Sequence, residues 1–160
     1  MQPDLALLFY KAEDHYLSDV DLKVFKHHTD SLKQRLTLYE LLREKELEIW
    51  QPVADRLQQA FPQEVDATLE QILRQGIALF RYGAMAMLLN NPEFLQRRLL
   101  EWLTDIVASR QSQGLVTTLH QLLQARLREM LTDKEVDLIL PFLDQAQATL
   151  VGTVPLVTVA

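Results

Sequence analysis

Few side chains in this chain are spaced for chemistry. Four histidines, His15, His27, His28 and His120, are the candidates for ligating a metal through nitrogen. A haem ligand must face a deep apolar crevice. Only His120, flanked by Leu119 and the pair Leu122-Leu123, stands in a run that could build one; a partly buried, hydrogen-bonded structural histidine is the expected reading. His15 with Asp14, Asp19 and Asp21 matches no established ligand spacing and reads as a solvated acidic turn. There is no Gly-rich phosphate loop, no His-Glu-x-x-His and no nucleophile elbow. Zero cysteines exclude disulfides, thiolate zinc sites, cysteine nucleophiles and thioether-linked pigments together. The expectation is a protein that is not an enzyme, with no catalytic residues, no metal site and no resident cofactor. Trp50, Trp102 and Tyr82 read as core or groove residues rather than platforms for stacking bases.

Two arginines remain, Arg74 and Arg81. Both lie in the stretch Leu69 to Pro92, LEQILRQGIALFRYGAMAMLLNNP. Its apolar residues Leu69, Ile72, Leu73, Leu79, Phe80, Met87 and Leu88 recur mostly at threes and fours, which predicts a helix with one apolar side. Gly76 and Gly83 stand close to two turns apart and so share a face. Each costs about 1 kcal/mol relative to Ala in a helix interior. Such a cost is tolerated where another backbone, or a flat ligand, must come close. The helix is predicted to stop at Asn90-Asn91, with Asn91 capping a new helix that has Pro92 at its first position. On the residues alone, both arginines read equally as helix-surface cations paired with neighbouring carboxylates.

The elements around this stretch also read as helices. A first helix is predicted over residues 3 to 14, with Leu5, Leu7, Leu8, Phe9 and Ala12 apolar. Ser18 and Asp21 form a capping pair for a short second helix, which His27-His28-Thr29-Asp30 is expected to break. A long pattern follows from Ser31 to Phe61, which Pro52 should kink or split and Pro62 should end. Residues 92 to 109 carry Phe94, Leu95, Leu99, Trp102, Leu103 and Ile106, and residues 109 to 114 read as a turn. A helix from Val116 to Leu131 is followed by the capping box Thr132-x-x-Glu135 and a last helix that Pro141 should bend. The final ten residues, VGTVPLVTVA, are apolar without helical period. No linker or repeat divides the chain, so one domain over 1–160 is expected.

The run Leu73-Arg74-x-Gly76, then Arg81-Tyr82, then Ala86, Leu88 and Asn90-Asn91-Pro92 resembles the chromophore helix of phycobiliproteins. That family reads Cys-Leu-Arg-Asp-Gly, a short hydrophobic run, Arg-Tyr and an ending near Gly-Asp-Pro. Tyr16-Leu17-Ser18 through Leu22 is similar to the family's Phe-Leu-Ser-x-x-x-Leu segment, and Arg35, Leu36, Glu40, Ile49, Leu57 and Pro62 fall on family-like residues. The resemblance implies an all-α, globin-like fold: a two-helix extension over 1–28, a globin-like core over 31–150 and an apolar tail over 151–160. It also marks what has changed. The cysteine that carries the bilin falls on Ile72, and the aspartate that contacts the pyrrole nitrogens falls on Gln75. The loop from Pro62 to Leu69 lacks the family's Gly-Gly-Asn segment.

The pocket implied by the resemblance is therefore vestigial: Ile72, Arg74, Gln75, Gly76 and Gly83. In the family the arginine at Arg74 contacts a bilin propionate, and the arginine at Arg81 reaches an acidic residue across the subunit interface. Here that acidic partner falls on Lys11 and a nearby tyrosine on Met85, so the standard pairing is not expected. Leu5, Leu8, Phe9, Lys11, Arg81 and Met85 become the expected interface, forming a homo- or hetero-dimer through the N-terminal helices. The implied function is a pigment-free interaction or assembly factor for the cyanobacterial photosynthetic apparatus, docking on phycobilisome or photosystem subunits. The alternative is a non-covalent tetrapyrrole carrier or sensor using the groove beside Arg74, Gly76 and Gly83. The tail 151–160 could fill that groove or pair with a partner's sheet edge, or be a loosely docked terminus. A net charge of −6 gives no electrostatic footprint for nucleic acid or an anionic membrane. No signal peptide and no apolar run near the roughly 20 residues of a membrane span are expected. The expected location is cytoplasmic, reaching the thylakoid surface only through a partner.

Overall fold

Leucines spaced by fours line the interior of the protein: Leu115, Leu119, Leu123 and Leu127 follow one face of a single helix and all four are buried. The computed structural model describes residues 3–97 and 113–151. Among them are seven helices and no strand: α1 (Pro3–Asp14), α2 (Asp19–Glu44), α3 (Glu46–Ala60), α4 (Asp66–Leu89), α5 (Pro92–Leu95), α6 (Gln113–Met130) and α7 (Asp133–Leu150). The central helix is α4, which meets α2, α3, α5, α6 and α7. Its Ile72, Phe80 and Met87 join Leu38 and Leu42 of α2, Ile49, Val53 and Leu57 of α3, and Leu143 of α7 in one continuous core. Leu99, Trp102, Leu103 and Ile106, the turn residues 109–112 and the tail beyond Val151 lie outside the described residues.

Caps behave as their side chains dictate. The Ser18 hydroxyl accepts from the Asp21 N–H at 3.3 Å, and Asp21 Oδ2 accepts from the Ser18 N–H at 3.2 Å. Thr132 and Glu135 repeat the exchange at the start of α7, and Asn91 Oδ1 accepts from the Phe94 N–H above Pro92. The break expected at His27-His28-Thr29-Asp30 is absent: α2 runs through it for 26 residues, about 39 Å. That tetrapeptide holds no Gly or Pro, and Thr29 Oγ1 donates to the Phe25 carbonyl at 3.0 Å, so its polar residues cost propensity without interrupting the ladder.

Pro52 does not split its helix either. The interruption falls at Lys45 (φ −98°, ψ 10°), a single residue between α2 and α3. Pro52 sits inside α3, where its missing N–H leaves the Glu48 carbonyl without its helical donor. Arg126 of α6 supplies the replacement, donating from Nε at 3.2 Å and from Nη2 at 2.9 Å to that carbonyl. Pro141 likewise lies within a continuous α7. At the other boundaries α4 begins at Asp66, three residues before the predicted start, and Gly114 belongs to the first turn of α6 rather than to a turn before it. By length and composition α4 is apolar enough to cross a bilayer, contrary to the expectation from the sequence, but its place is among the other helices.

One buried cation ties α2 to the end of α4. Arg35 is 8% exposed, and its Nη1 donates to the Leu88 carbonyl at 2.5 Å and to the Met87 carbonyl at 3.4 Å. Its Nε donates to the Ser31 carbonyl of its own helix at 3.3 Å. The guanidinium thus sits on the last carbonyls of α4, the negative end of the helix dipole. Burial pushes its pKa down from the ordinary arginine value. Asn90 closes the same end in the left-handed region at φ 47°, a conformation that asparagine tolerates better than other non-glycine residues. Replacing Arg35 by Met keeps most of the volume but takes the donor from the Leu88 carbonyl, while the Met87 carbonyl keeps the Asn90 N–H at 3.0 Å. The expected loss is roughly 1–3 kcal/mol of stability, read as a lower urea midpoint at unchanged m-value; a midpoint equal to that of the parent chain would refute the clamp.

Candidate functional site

Three helices converge on α4 where it has no side chains. A Cβ added at Gly76 would lie 2.7 Å from Leu119 Cδ2 and 3.1 Å from Trp50 Cη2, and one at Gly83 would lie 3.1 Å from Leu143 Cδ2. The glycine face of α4 is thus filled by side chains from α3, α6 and α7. Beside Gly76 a narrow crevice of about 50 Å³ opens between these helices. Trp50, Ile72, Phe80, Leu119, Leu143 and Leu150 form most of its wall, with Gln75, His120 and Gln147 as its polar members. Trp50 and Phe80 meet edge to face, ring centroids 5.8 Å apart. The Trp50 Nε1–H is fully buried and has no hydrogen-bond partner among the described residues. Leaving such a donor unmet costs about 1–3 kcal/mol.

Of the residues expected in one pocket, Ile72, Gln75 and Gly76 line the crevice, and Arg74 and Gly83 do not. Ile72 is buried in the crevice wall, and Gln75 lies at its edge. Arg74 projects from another side of α4, exposed to solvent, where its Nη2 donates to Glu70 at 2.7 Å. Gly83 belongs to the α7 contact. No lysine or arginine lines the crevice among the described residues. With isoleucine at the attachment position and glutamine in place of the aspartate, the residues present do not fit a thioether-linked bilin.

His120 stands at the crevice with its Nε2 3.0 Å from Asp144 Oδ1 and 2.7 Å from Gln124 Nε2. Gln124 also donates to Asp144 Oδ1 at 2.6 Å. This is a hydrogen-bonded histidine, as its neighbours in sequence suggest. Burial lowers its pKa, and the Asp144 carboxylate opposes that only in part. Among the described residues there is no cluster of metal-ligating side chains.

Lys11 and Arg81 find partners within the chain. Lys11 Nζ lies 2.8 Å from Asp21 Oδ1, joining α1 to α2. That ammonium, with the Ser18 hydroxyl, holds the Asp21 carboxyl down at about 2. Arg81 clasps Glu46 with two hydrogen bonds, Nε to Oε2 at 2.9 Å and Nη2 to Oε1, which raise the Arg81 pKa and lower that of Glu46. Arg81 and Lys11 therefore do not face each other unpaired. Glu46 was missed in the sequence because it is 35 residues away and only the turn at Lys45 brings it round.

Eight of the fourteen exposed large apolar side chains among the described residues lie before residue 29. Leu8 is buried within the chain and Leu5 half-buried, whereas Leu7, Phe9, Tyr10, Tyr16, Val20 and Phe25 face solvent. Met85 is half-buried.

The all-α arrangement, with α1 and the first half of α2 preceding the core and a central helix bearing Arg-Tyr and ending at Asn-Asn-Pro, is the one the resemblance to phycobiliproteins implies. The family model described as phycobilisome protein matches residues 6–150, and the chain belongs to that family. Comparison with curated proteins gives no match.

The His120 cluster makes a pH prediction. Its folded pKa lies below the ordinary value of 6.5, so below about that pH the unfolded chain binds a proton that the folded chain resists. Stability falls as pH drops through about 6.5 and levels off beneath the folded pKa. His120→Gln should reduce the difference in urea midpoint between about pH 7.5 and pH 5.5; identical differences in the two chains would show that His120 contributes nothing to the acid limb.

Proposed function

We propose that this chain is a pigment-free docking or assembly factor of the cyanobacterial light-harvesting apparatus, binding a second chain of its own family through α1 and the first half of α2. The supporting observation is one helix face with two fates. Val20 and Val24 lie about five turns before Leu38 and Leu42, and so on the same face of α2. Leu38 and Leu42 are 1% and 2% exposed, whereas Val20 is 69% and Val24 38% exposed. A core face that continues past the core needs cover from elsewhere. A second stripe, Leu22, Phe25, Leu32 and Leu36, is also exposed and recurs at helical spacing. Burying each such side chain is worth about 1.5–3 kcal/mol, enough together to hold a partner.

Membership of the phycobilisome protein family supports partners among phycobilisome subunits, with photosystem subunits a second destination. It also supports a non-enzymatic role, in the cytoplasm at the thylakoid surface. The absence of cysteine removes thioether attachment, so the chain contributes a shape rather than a covalent chromophore. The groove proposed beside Arg74, Gly76 and Gly83 for a tetrapyrrole receives no support, since Arg74 points elsewhere and both glycines are met by side chains.

Sedimentation of the purified chain alone and with phycobilisome subunits, together with affinity capture from membranes and soluble extract, tests this. Self-association or a complex with a named phycobilisome subunit is expected. Val20→Glu with Phe25→Glu should weaken it by at least about tenfold, about 1.4 kcal/mol. The preparation from bilin-making cells should be colourless. A complex indifferent to both substitutions, or a stoichiometric visible band lost on Arg74→Ala, would overturn the docking role.

A further inference from the structure

We propose that the pocket between the second half of α2, the start of α3 and α4 is a binding site for a small apolar monocarboxylate built on one ring, such as an arylacetate. The site lies outside the docking face on α1 and the first half of α2, and it does not rest on that reading. Leu42 of α2 with Phe80 and Ala84 of α4 form an apolar floor, and Tyr39, Arg43, Glu46 and Arg81 stand around it. An apolar floor with a few convergent polar groups is the usual make-up of a small-molecule site. The volume is about 150 Å³, against about 50 Å³ for the crevice beside Gly76. A space of about 150 Å³ holds a benzene-sized ring.

The rim decides the charge of the ligand. Arg43 makes no ion pair or hydrogen bond with any described residue, so its guanidinium is held only by water. Arg81 gives its Nε and Nη2 to Glu46, which fixes that guanidinium at the pocket and leaves Nη1 unused among the described residues. The Tyr39 hydroxyl is likewise without a partner among them. Glu46 is the one acid among the lining residues, and Arg81 already answers its charge. Two guanidiniums against one carboxylate leave an excess of positive charge beside an apolar floor. Guanidinium donors suit a carboxylate better than any neutral acceptor. An amine would meet the excess charge with its own sign. A dicarboxylate would place its second charge on the floor, where nothing replaces its water. A single carboxylate on a ring uses both the rim and the floor.

The test uses three probes on the full chain. Phenylacetate carries ring and charge, phenylacetamide has the same shape without the charge, and acetate has the charge without the ring. Binding is followed in heteronuclear NMR by the side-chain Nε–H resonances of Arg43 and Arg81 and by the Ala84 methyl signal. Phenylacetate should bind at least about tenfold tighter than either of the others and move all three signals. Arg43 is exposed, so Arg43→Gln should leave the circular dichroism helical. That variant should bring phenylacetate to within about twofold of phenylacetamide. Arg74→Gln, two turns away on α4 and outside the pocket, should leave all three affinities unchanged. No saturable binding of phenylacetate, equal affinities for acid and amide, or acetate as tight as phenylacetate would each overturn the assignment. So would an equal loss from Arg74→Gln and Arg43→Gln, which would mark a general effect of charge.

Discussion

At Gly76 the backbone of α4 meets Leu119 of α6 and Trp50 of α3 with no room for a methyl group between them, and the rest of the structure follows from that approach. A side chain there would force the Leu119 side chain and the Trp50 ring to shift. Held in place, α6 lays its four leucines along α3, and α7 repeats the approach at Gly83 through Leu143. The helix gives up about 1 kcal/mol of propensity at each glycine, offset by dispersion contacts that a looser fit would lose.

Polar residues then do the positioning that packing alone leaves undetermined. Arg35 holds the carbonyl end of α4 against α2, and Arg126 replaces the hydrogen bond that Pro52 removes from α3. Arg81 binds Glu46 across the α2–α3 turn, and Lys11 binds the nearly buried Asp21 between the two extension helices. The first three join elements far apart in sequence, and each of the four satisfies within the chain a group that would otherwise seek a partner. What stays unsatisfied is apolar and lies in two places. One is the extension, where a core face continues beyond the core; the other is the crevice beside Gly76.

Much of this was legible in the residues. Helical periodicity, the Ser18–Asp21 and Thr132–Glu135 caps and the Asn91-Pro92 start all depend on neighbours within one turn, so their physics is contained in the local sequence. The errors also have a common cause. His27-His28-Thr29-Asp30 and Pro52 read as breakers because local propensity disfavours helix there, but each lost preference is small beside the packing of a long apolar face, and Pro52 has its carbonyl repaired from another helix. The interruption at Lys45 carries no Gly or Pro to announce it.

The sequence by itself determined the class of fold, the family, and the loss of the thioether, because periodicity, motif spacing and the lack of cysteine need no third dimension. Only the tertiary structure decided where each candidate side chain goes. Arg74 and Ile72 are two residues apart, yet on a helix that separation turns a side chain by about 200°, placing one in solvent and the other in the core. Which face meets another helix, which arginine meets a carboxylate and which indole is left without a partner depend on contacts between residues distant in the chain, and only packing brings those together.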